Sequence, residues 1–487
     1  TCDGYVEGTL IEETQSQAVE PFYQYDIPVY KLKDGDNRFQ IAFYPAPSEL
    51  ITSADPVMRT FIVSKKAYGT ETNPIYVSPT GRKTNTGTMQ SPLDLETAIA
   101  YVLPGQTIIM RDGTYPVLSV TIPRYNSGYF GKPKRLVAQT RDRVFIDFGK
   151  NVSASGFVLE GDYWEISGIH VMNTPDKKKG LTIMGSNNRI EWVKTYNNGD
   201  TGLQISGRSG EPRSMWPRFN TIAYCESYNN KDAAMEDADG FAAKLTVGEG
   251  NRFEWCVGHH NADDGWDLFT KKETGTIWPV TVENCIAYRN GWLLDGTPTV
   301  SGRNGFKLGG EGLPVRHEVV NCLAFFNGAH GFTSNSNPAV QLSYCTSFDN
   351  GGSYNLKSGA DSRNFTIYDS TNQIKNLEAR IIGLLSLYTA SNSVVDGVNR
   401  KEDKVELKLP ADGYVWYGTG SGSSAGTATT NKNNDTISVQ DELESIESPL
   451  TAEGFISRHP DGTFDIGDFL KLKPGAVSGK VGADFYP

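Results

Sequence analysis

Phe253-Glu254-Trp255-Cys256-Val257-Gly258-His259-His260-Asn261 decides the fold, because other stretches of the chain repeat its plan. The copies are Ile190 to Asn198, Ile222 to Asn230, Val282 to Asn290, Val319 to Asn327 and Leu342 to Asn350. Each opens on a large apolar residue. Three places on stands Val193, Cys225, Cys256, Cys285, Cys322 or Cys345. Two further on stands a small residue (Thr195, Ser227, Gly258, Ala287, Ala324 or Ser347), and three beyond that an asparagine. Gly168 to Asn173 resembles an earlier copy. The copies are 23 to 37 residues apart, with short strands and no helix-period stretch between them. A stacked coil of three short strands fits this pattern, since one coil cannot bury its own inner face and needs its neighbours to do so. The asparagines then form a ladder of turn residues whose amides bond from rung to rung. The cysteines form a packing column.

A second strand follows in each coil and begins with Gly plus a bulky residue: Gly202-Leu203, Gly240-Phe241, Gly265-Trp266, Gly305-Phe306, Gly331-Phe332. Strand alternation sends Leu203, Phe241, Trp266, Phe306 and Phe332 inward. It sends Gln204, Ala242, Asp267, Lys307 and Thr333 outward, to solvent. The step from ladder Asn to this Gly is usually four residues, but ten from Asn230 to Gly240 and fifteen from Asn290 to Gly305. Insertions on one face of a solenoid mark its working face.

Outside the repeat, residues 1–72 read as a small β-rich domain or cap, with a strand near Phe39 to Tyr44. Residues 73–487 read as the solenoid, with an irregular segment from about 405. Ser91-Pro92-Leu93-Asp94-Leu95-Glu96 reads as a helix start, with a Ser cap and Pro first, running to about Val102. Thr107 to Met110 reads as a strand and Asp112 to Tyr115 as a turn. Gly418 to Gly426 is a Gly/Ser-rich loop.

The chain has 487 residues, 38 % of them hydrophobic, with 51 glycines and a formal charge of −11. That balance, without a basic stripe, excludes ordinary nucleic-acid binding. An acidic chain that binds an acidic polymer needs local cations or a bridging metal. No apolar run approaches the ~20 residues of a membrane span. Cys2 stands apart from the repeat; it is either a lipid-attachment point or a free surface cysteine.

Four acids gather on the working face. Asp263 and Asp267 share a parity, Asp264 stands at the strand entry, and Asp239 holds the matching entry on the preceding coil. Coils stack about 4.8 Å apart, so the four carboxylates converge. Such an arrangement is repulsive unless a hard, oxygen-seeking cation such as Ca²⁺ resolves it. Lys307 lies beside Asp267 on the next coil. It reads either as an ion-pair partner or as a general base taking the C5 proton of a uronate whose carboxylate a cation holds. Calcium would lower its pKa and the four aspartates would raise it.

Together these strings resemble polysaccharide lyase family 9: Ala238-Asp239-Gly240-Phe241, Gly250-Asn251-Arg252-Phe253, Asp263-Asp264-Gly265-Trp266-Asp267-Leu268-Phe269 and Asn304-Gly305-Phe306-Lys307-Leu308-Gly309-Gly310. Tyr76-Val77-Ser78-Pro79 and Gly161-Asp162-Tyr163-Trp164 fit too. The resemblance spans roughly 74–400. It implies an all-β, right-handed parallel β-helix, calcium on Asp239, Asp263, Asp264 and Asp267, and Lys307 as base. Lys244 matches a lysine of the family pattern and is expected to face outward, toward a substrate carboxylate. Arg303, Asn335 and Asn337 border the same face as candidate substrate contacts.

The expected reaction is β-elimination on the pectic backbone of an acidic plant cell-wall polysaccharide, with a secreted, cell-surface or periplasmic monomer as the agent. The acidic balance and the few extra cations lean toward rhamnogalacturonan I over homogalacturonan. A β-helix hydrolase working through paired acids, and a non-catalytic glycan-binding β-helix, are the alternatives.

Overall fold

The computed structural model describes residues 57–351 without a break, together with 33, 35–43, 443–445, 447–474, 482–485 and several short isolated strands. Cys2 and residues 419–426 lie outside the described residues.

Among the described residues, three sheets of 12, 10 and 11 strands stack between Ile75 and Thr430 as a right-handed β-helix, parallel throughout except for the last strand, Ala428–Thr430. The first includes Arg189–Glu191, Thr221–Ala223, Arg252–Glu254, Thr281–Glu283, Glu318–Val320 and Gln341–Ser343. The second includes Lys194–Tyr196, Glu226–Tyr228, Val257–His259, Ile286–Tyr288, Leu323–Phe325 and Thr346–Phe348. The third includes Leu203–Ile205, Phe241–Ala243, Trp266–Asp267, Phe306–Lys307 and Phe332–Thr333.

Each repeat copy is thus one strand of the first sheet, a corner, and one strand of the second. The corner is sharp because one residue adopts left-handed backbone there. Trp192, Tyr224, Trp255, Asn284, Asn321 and Tyr344 all have φ between +51° and +56°. That conformation is costly for side chains other than Gly and Asn, and at two of these corners a ring stack offsets the cost. Trp192 and Tyr224 do stack, 4.9 Å apart and 12° from parallel. The next residue turns inward, which buries Val193 and the five cysteines completely.

The asparagine column is a ladder. Nδ2 of Asn198, Asn230, Asn261, Asn290 and Asn327 each donates to Oδ1 of the next, at 2.8–3.0 Å. A second, shorter ladder escaped the sequence reading: Asn220 Nδ2 donates to Asn251 Oδ1 at 2.9 Å, and the Asn188 N–H to Asn220 Oδ1 at 3.0 Å. It lies at the corner from the third sheet back to the first.

Inside, Phe241, Trp266, Phe306 and Phe332 stack with centroids 4.8, 4.8 and 4.9 Å apart. They explain the small-residue column, since a Cβ on Gly258 would meet the Trp266 ring at 3.0 Å. Outside the second sheet, Tyr196, Tyr228, His259, Tyr288 and Phe325 form another stack. The described C-terminal segment covers part of it. Phe455 packs edge-on against His259, Phe469 against Phe325, and the Tyr288 hydroxyl donates to Gly454 O at 3.0 Å.

At the N-terminal side, Gly35–Phe43 pairs antiparallel with Val57–Lys65, and Ile75–Val77 is the first rung of the solenoid. Two local expectations are corrected. The helix is Leu95–Tyr101, capped by Asp94 through the Thr97 N–H at 2.8 Å. Ser91-Pro92 cannot start it, because Leu93 is held in extended form by the Tyr76 carbonyl at 2.9 Å. Asp112 to Tyr115 is not a turn: Gly113–Pro116 is a strand paired with Val144–Asp147.

Candidate active site

The working face is the outer side of the third sheet. Asp267 and Lys307 are Cα partners across adjacent strands. Asp239 and Asp264 precede the strand glycines on successive rungs, so backbone pairing fixes both: Gly240 N–H donates to Asp264 O at 2.9 Å. Oxygens of Asp239, Asp263 and Asp264 lie within 4.8 Å of one another.

Outward does not mean exposed here. Asp239, Asp264 and Asp267 are at most 2 % exposed, and Gln204 and Ala242 are also buried. The expectation that this column meets solvent is therefore corrected. Long lysines and the inserted loop 291–304 lie over it. Gly302 in that loop rests on the cluster, so closely that a Cβ there would fall 1.5 Å from Asp263 Oδ1. Its φ of +54° lets the backbone pass without a side chain.

Hydrogen bonds fix part of each carboxylate. Asp239 takes Lys244 Nζ at 2.7 Å and Thr201 Oγ1 at 3.2 Å on Oδ2, and the Asp264 N–H at 3.3 Å on Oδ1. Asp264 Oδ1 takes the N–H and the side-chain amide of Asn304, both at 2.8 Å. Asp267 Oδ2 takes Lys244 Nζ at 2.9 Å. Buried and without a hydrogen bond are Asp263 Oδ1, Asp264 Oδ2 and Asp267 Oδ1. Lys307 Nζ stands 3.2 Å from Asp264 Oδ2 and 3.6 Å from Asp267 Oδ1, within ion-pair reach.

Burial pushes the Asp239, Asp263 and Asp264 carboxyls above the usual range. Burial acts the same way on Asp267, but Lys244 and Lys307 outweigh it and hold Asp267 low. Burial would lower Lys307; the facing aspartates, Asp267 and Asp264 first, overcome it and raise that lysine above its ordinary value.

Four carboxylates against two ammonium groups leave a formal charge of −2. Buried carboxylate oxygens without hydrogen bonds are costly. A divalent, oxygen-seeking cation matches both the residual charge and the donor type, so these residues fit Ca²⁺.

Beside the cluster opens a cleft of about 480 Å³, lined by Glu236, Asp237, Asp263, Ser301, Gly302, Asn304, Lys307, Ala329, His330, Thr333 and Asn335. Asn335 reaches it, with Nδ2 on Gly309 O at 2.8 Å. The other candidate contacts lie elsewhere. Lys244 points into the carboxylates. The Arg303 stem packs where a Cβ on Gly291 or Gly328 would lie. Asn337 is fully buried, donating to Leu308 O and Val315 O and accepting from the Val315 and Ala339 N–H groups, so no amide atom is left for a sugar. Sequence reasoning passed over Asn304 and Gly302. Asn304 heads the Asn304-Gly305-Phe306-Lys307 string, which was its signal; Gly302 lies in a loop with no period.

Residues 75–372 match the family described as Pel9A-like, right handed beta helix region. Pectate lyase L of Thermoclostridium stercorarium is 47 % identical over 319 residues, 65 % of this chain and 26 % of that protein. The chain therefore spans about a quarter of that relative. Pectate lyase L of Paenibacillus polymyxa (strain SC2) is 39 % identical over 424 residues, covering 84 % of this chain and 85 % of that one. The crystal structure of pectate lyase Pel9A superposes with a TM-score of 0.61 at 27 % identity, over 83 % of this chain and 90 % of that one.

Proposed function

The chain belongs to the Pel9A-like right-handed β-helix family, and from that premise we propose that it is a calcium-dependent pectic polysaccharide lyase acting by β-elimination. The observation that carries the reading is Lys307, which faces the cleft one rung from Asp267 and touches the carboxylate cluster.

Calcium held by Asp239, Asp263, Asp264 and Asp267 would supply positive charge that binds a uronate carboxylate, acidifies the C5 hydrogen and offsets the aspartates that keep Lys307 protonated. Lys307 Nζ takes the C5 proton. The released electron pair forms the C4–C5 double bond, the C4–O bond breaks, and the departing oxygen is protonated. The products are an unsaturated uronate end and a new hydroxyl end. Asn304 steadies Asp264, and Gly302 keeps bulk water from Asp263.

Among pectic backbones we place homogalacturonan first, because the Thermoclostridium and Paenibacillus relatives are named pectate lyases. The alternating backbone of rhamnogalacturonan I is the second reading. It is favoured by one observation: Lys244 and Lys307 are both paired with aspartates, which leaves few cations for a carboxylate on every sugar. A secreted or cell-surface location suits a substrate of this size, and is part of the proposal.

The deciding experiment incubates the protein with each polymer, with and without chelator, and follows ultraviolet absorbance of the unsaturated end. Calcium-dependent absorbance is expected. New reducing ends without absorbance would replace this reading with a hydrolase, and silence on every polymer with a binding protein.

A further inference from the structure

Asp267 has a lysine on each side. Lys307 meets its Oδ1 from the following coil. On the preceding coil the outward residue is Ala242, which has no polar atom and is Asp267's Cα partner. The charge on that side comes from Lys244, two residues further along, whose ammonium lies 2.9 Å from Asp267 Oδ2 and 2.7 Å from Asp239 Oδ2. It therefore links two rungs. Both partner carboxylates are almost completely buried, while the Lys244 side chain is 17 % exposed.

We propose that Lys244 is a positioning residue, a built-in counter-cation that holds Asp239 and Asp267 in register before the metal arrives and stays as one of the charges balancing the loaded site. The inference rests on the reading of the cluster as a cation site.

The reasoning is one of charge and desolvation. Moving Lys244 away to grip a substrate carboxylate would leave buried Asp239 without its ammonium and buried Asp267 with Lys307 alone, which is strongly unfavourable. Without Lys244 the metal-free protein carries more uncompensated negative charge. A divalent cation then offsets more of it. Linkage follows: losing Lys244 must destabilise the metal-free state more than the metal-bound state, and the protein must respond to lower calcium. The ligand geometry does not depend on Lys244 alone. Asp239 keeps Thr201 and the Asp264 N–H, and Asp264 keeps Asn304.

The test is thermal unfolding of the full chain as wild type, Lys244→Met and Lys244→Arg, in chelator and across a calcium series. For Lys244→Met, Tm should fall in chelator, recover more than wild type on adding calcium, and show a calcium midpoint at least about threefold lower. Lys244→Arg, which keeps the charge, should stay close to wild type in chelator. Should Lys244→Met not fold without metal, refolding yield replaces Tm: recovery on adding calcium supports the proposal, and equal failure in both conditions overturns it. Equal Tm loss with and without calcium and an unchanged midpoint would also overturn it. So would an unchanged calcium response with a raised KM, which would make Lys244 a substrate contact. A wild-type protein whose Tm ignores calcium would instead remove the cation reading itself, and this inference with it.

Discussion

Lys307 stands beside Asp267 as its ladder partner on the next rung, with Nζ 3.6 Å from Oδ1 and 3.2 Å from Asp264 Oδ2. Parallel pairing fixes this relationship. One residue of slip in either strand would turn its own member of the pair into the core. The proposed base is thus placed by backbone hydrogen bonds rather than by a mobile loop.

Lys307→Met should therefore lower kcat by about 10²- to 10⁴-fold, the range for loss of a general base. Calcium-induced stabilisation should persist, since the aspartates remain. For the wild type, the rate should climb through the alkaline range, because the raised pKa keeps Lys307 protonated near neutrality. A pH–rate profile that peaks below neutrality and then falls would remove Lys307 from the role.

Gly302→Ala should weaken calcium binding. The new Cβ would fall 1.5 Å from Asp263 Oδ1, so loop or carboxylate must move. Gly296→Ala in the same loop is the control. Gly296 also has a left-handed backbone, φ +82°, but nothing lies within 4 Å of its Cβ position. Both variants should lose about 1–2 kcal/mol from the backbone alone. A raised calcium midpoint should appear in Gly302→Ala and be absent from Gly296→Ala; calorimetric titration reads the difference.

Asn290→Ala should cost about 2–4 kcal/mol, by the usual penalty for buried groups left unpaired. Asn290 Oδ1 accepts the Asn261 N–H at 3.2 Å and Asn261 Nδ2 at 3.0 Å; its own amide donates to Gly258 O and Asn327 Oδ1. Denaturant unfolding measures the loss.

Acid should destabilise the fold from about pH 6.5 downward, partly through His317. Burial holds this imidazole at about 3, against an ordinary 6.5, and its Nδ1 accepts the Val280 N–H at 3.1 Å. Between those values the unfolded chain binds the proton and the folded chain does not. The contribution is thus full above about 6.5 and lost as pH falls toward 3. Each unit is worth about 1.4 kcal/mol for one group. His317→Gln should lower stability at pH 7 yet flatten the decline between pH 7 and pH 4 in a series of denaturant titrations.

Several features were legible in the sequence because they repeat. Asn198 through Asn350, the cysteine column and the Gly-aromatic pairs recur at matching places, and a solenoid puts equivalent positions in register. That same register places Asp239 over Asp264 and Asp267 beside Lys307. At Ser91-Pro92 only local propensity points to a helix start, and a competing backbone bond from Leu93 to Tyr76 moves that start to Asp94. Asn335 was found at the cleft, but Asn337 and Arg303 could not be separated from it by position. Two residues along the chain can face opposite ways once a strand has ended.

The amino-acid order by itself determined which side chains are stacked, which face outward, and that four aspartates and a lysine share one surface, because a period of stacked coils is written in one dimension. Tertiary structure alone decided that the aspartates of this surface are buried, that Gly302 lies on Asp263, and that Lys244 reaches back to Asp239 and Asp267. Those outcomes depend on where an aperiodic loop folds and how far a long flexible side chain reaches. Neither is set by spacing; both are set by the desolvation of charges that only the assembled coils bring together.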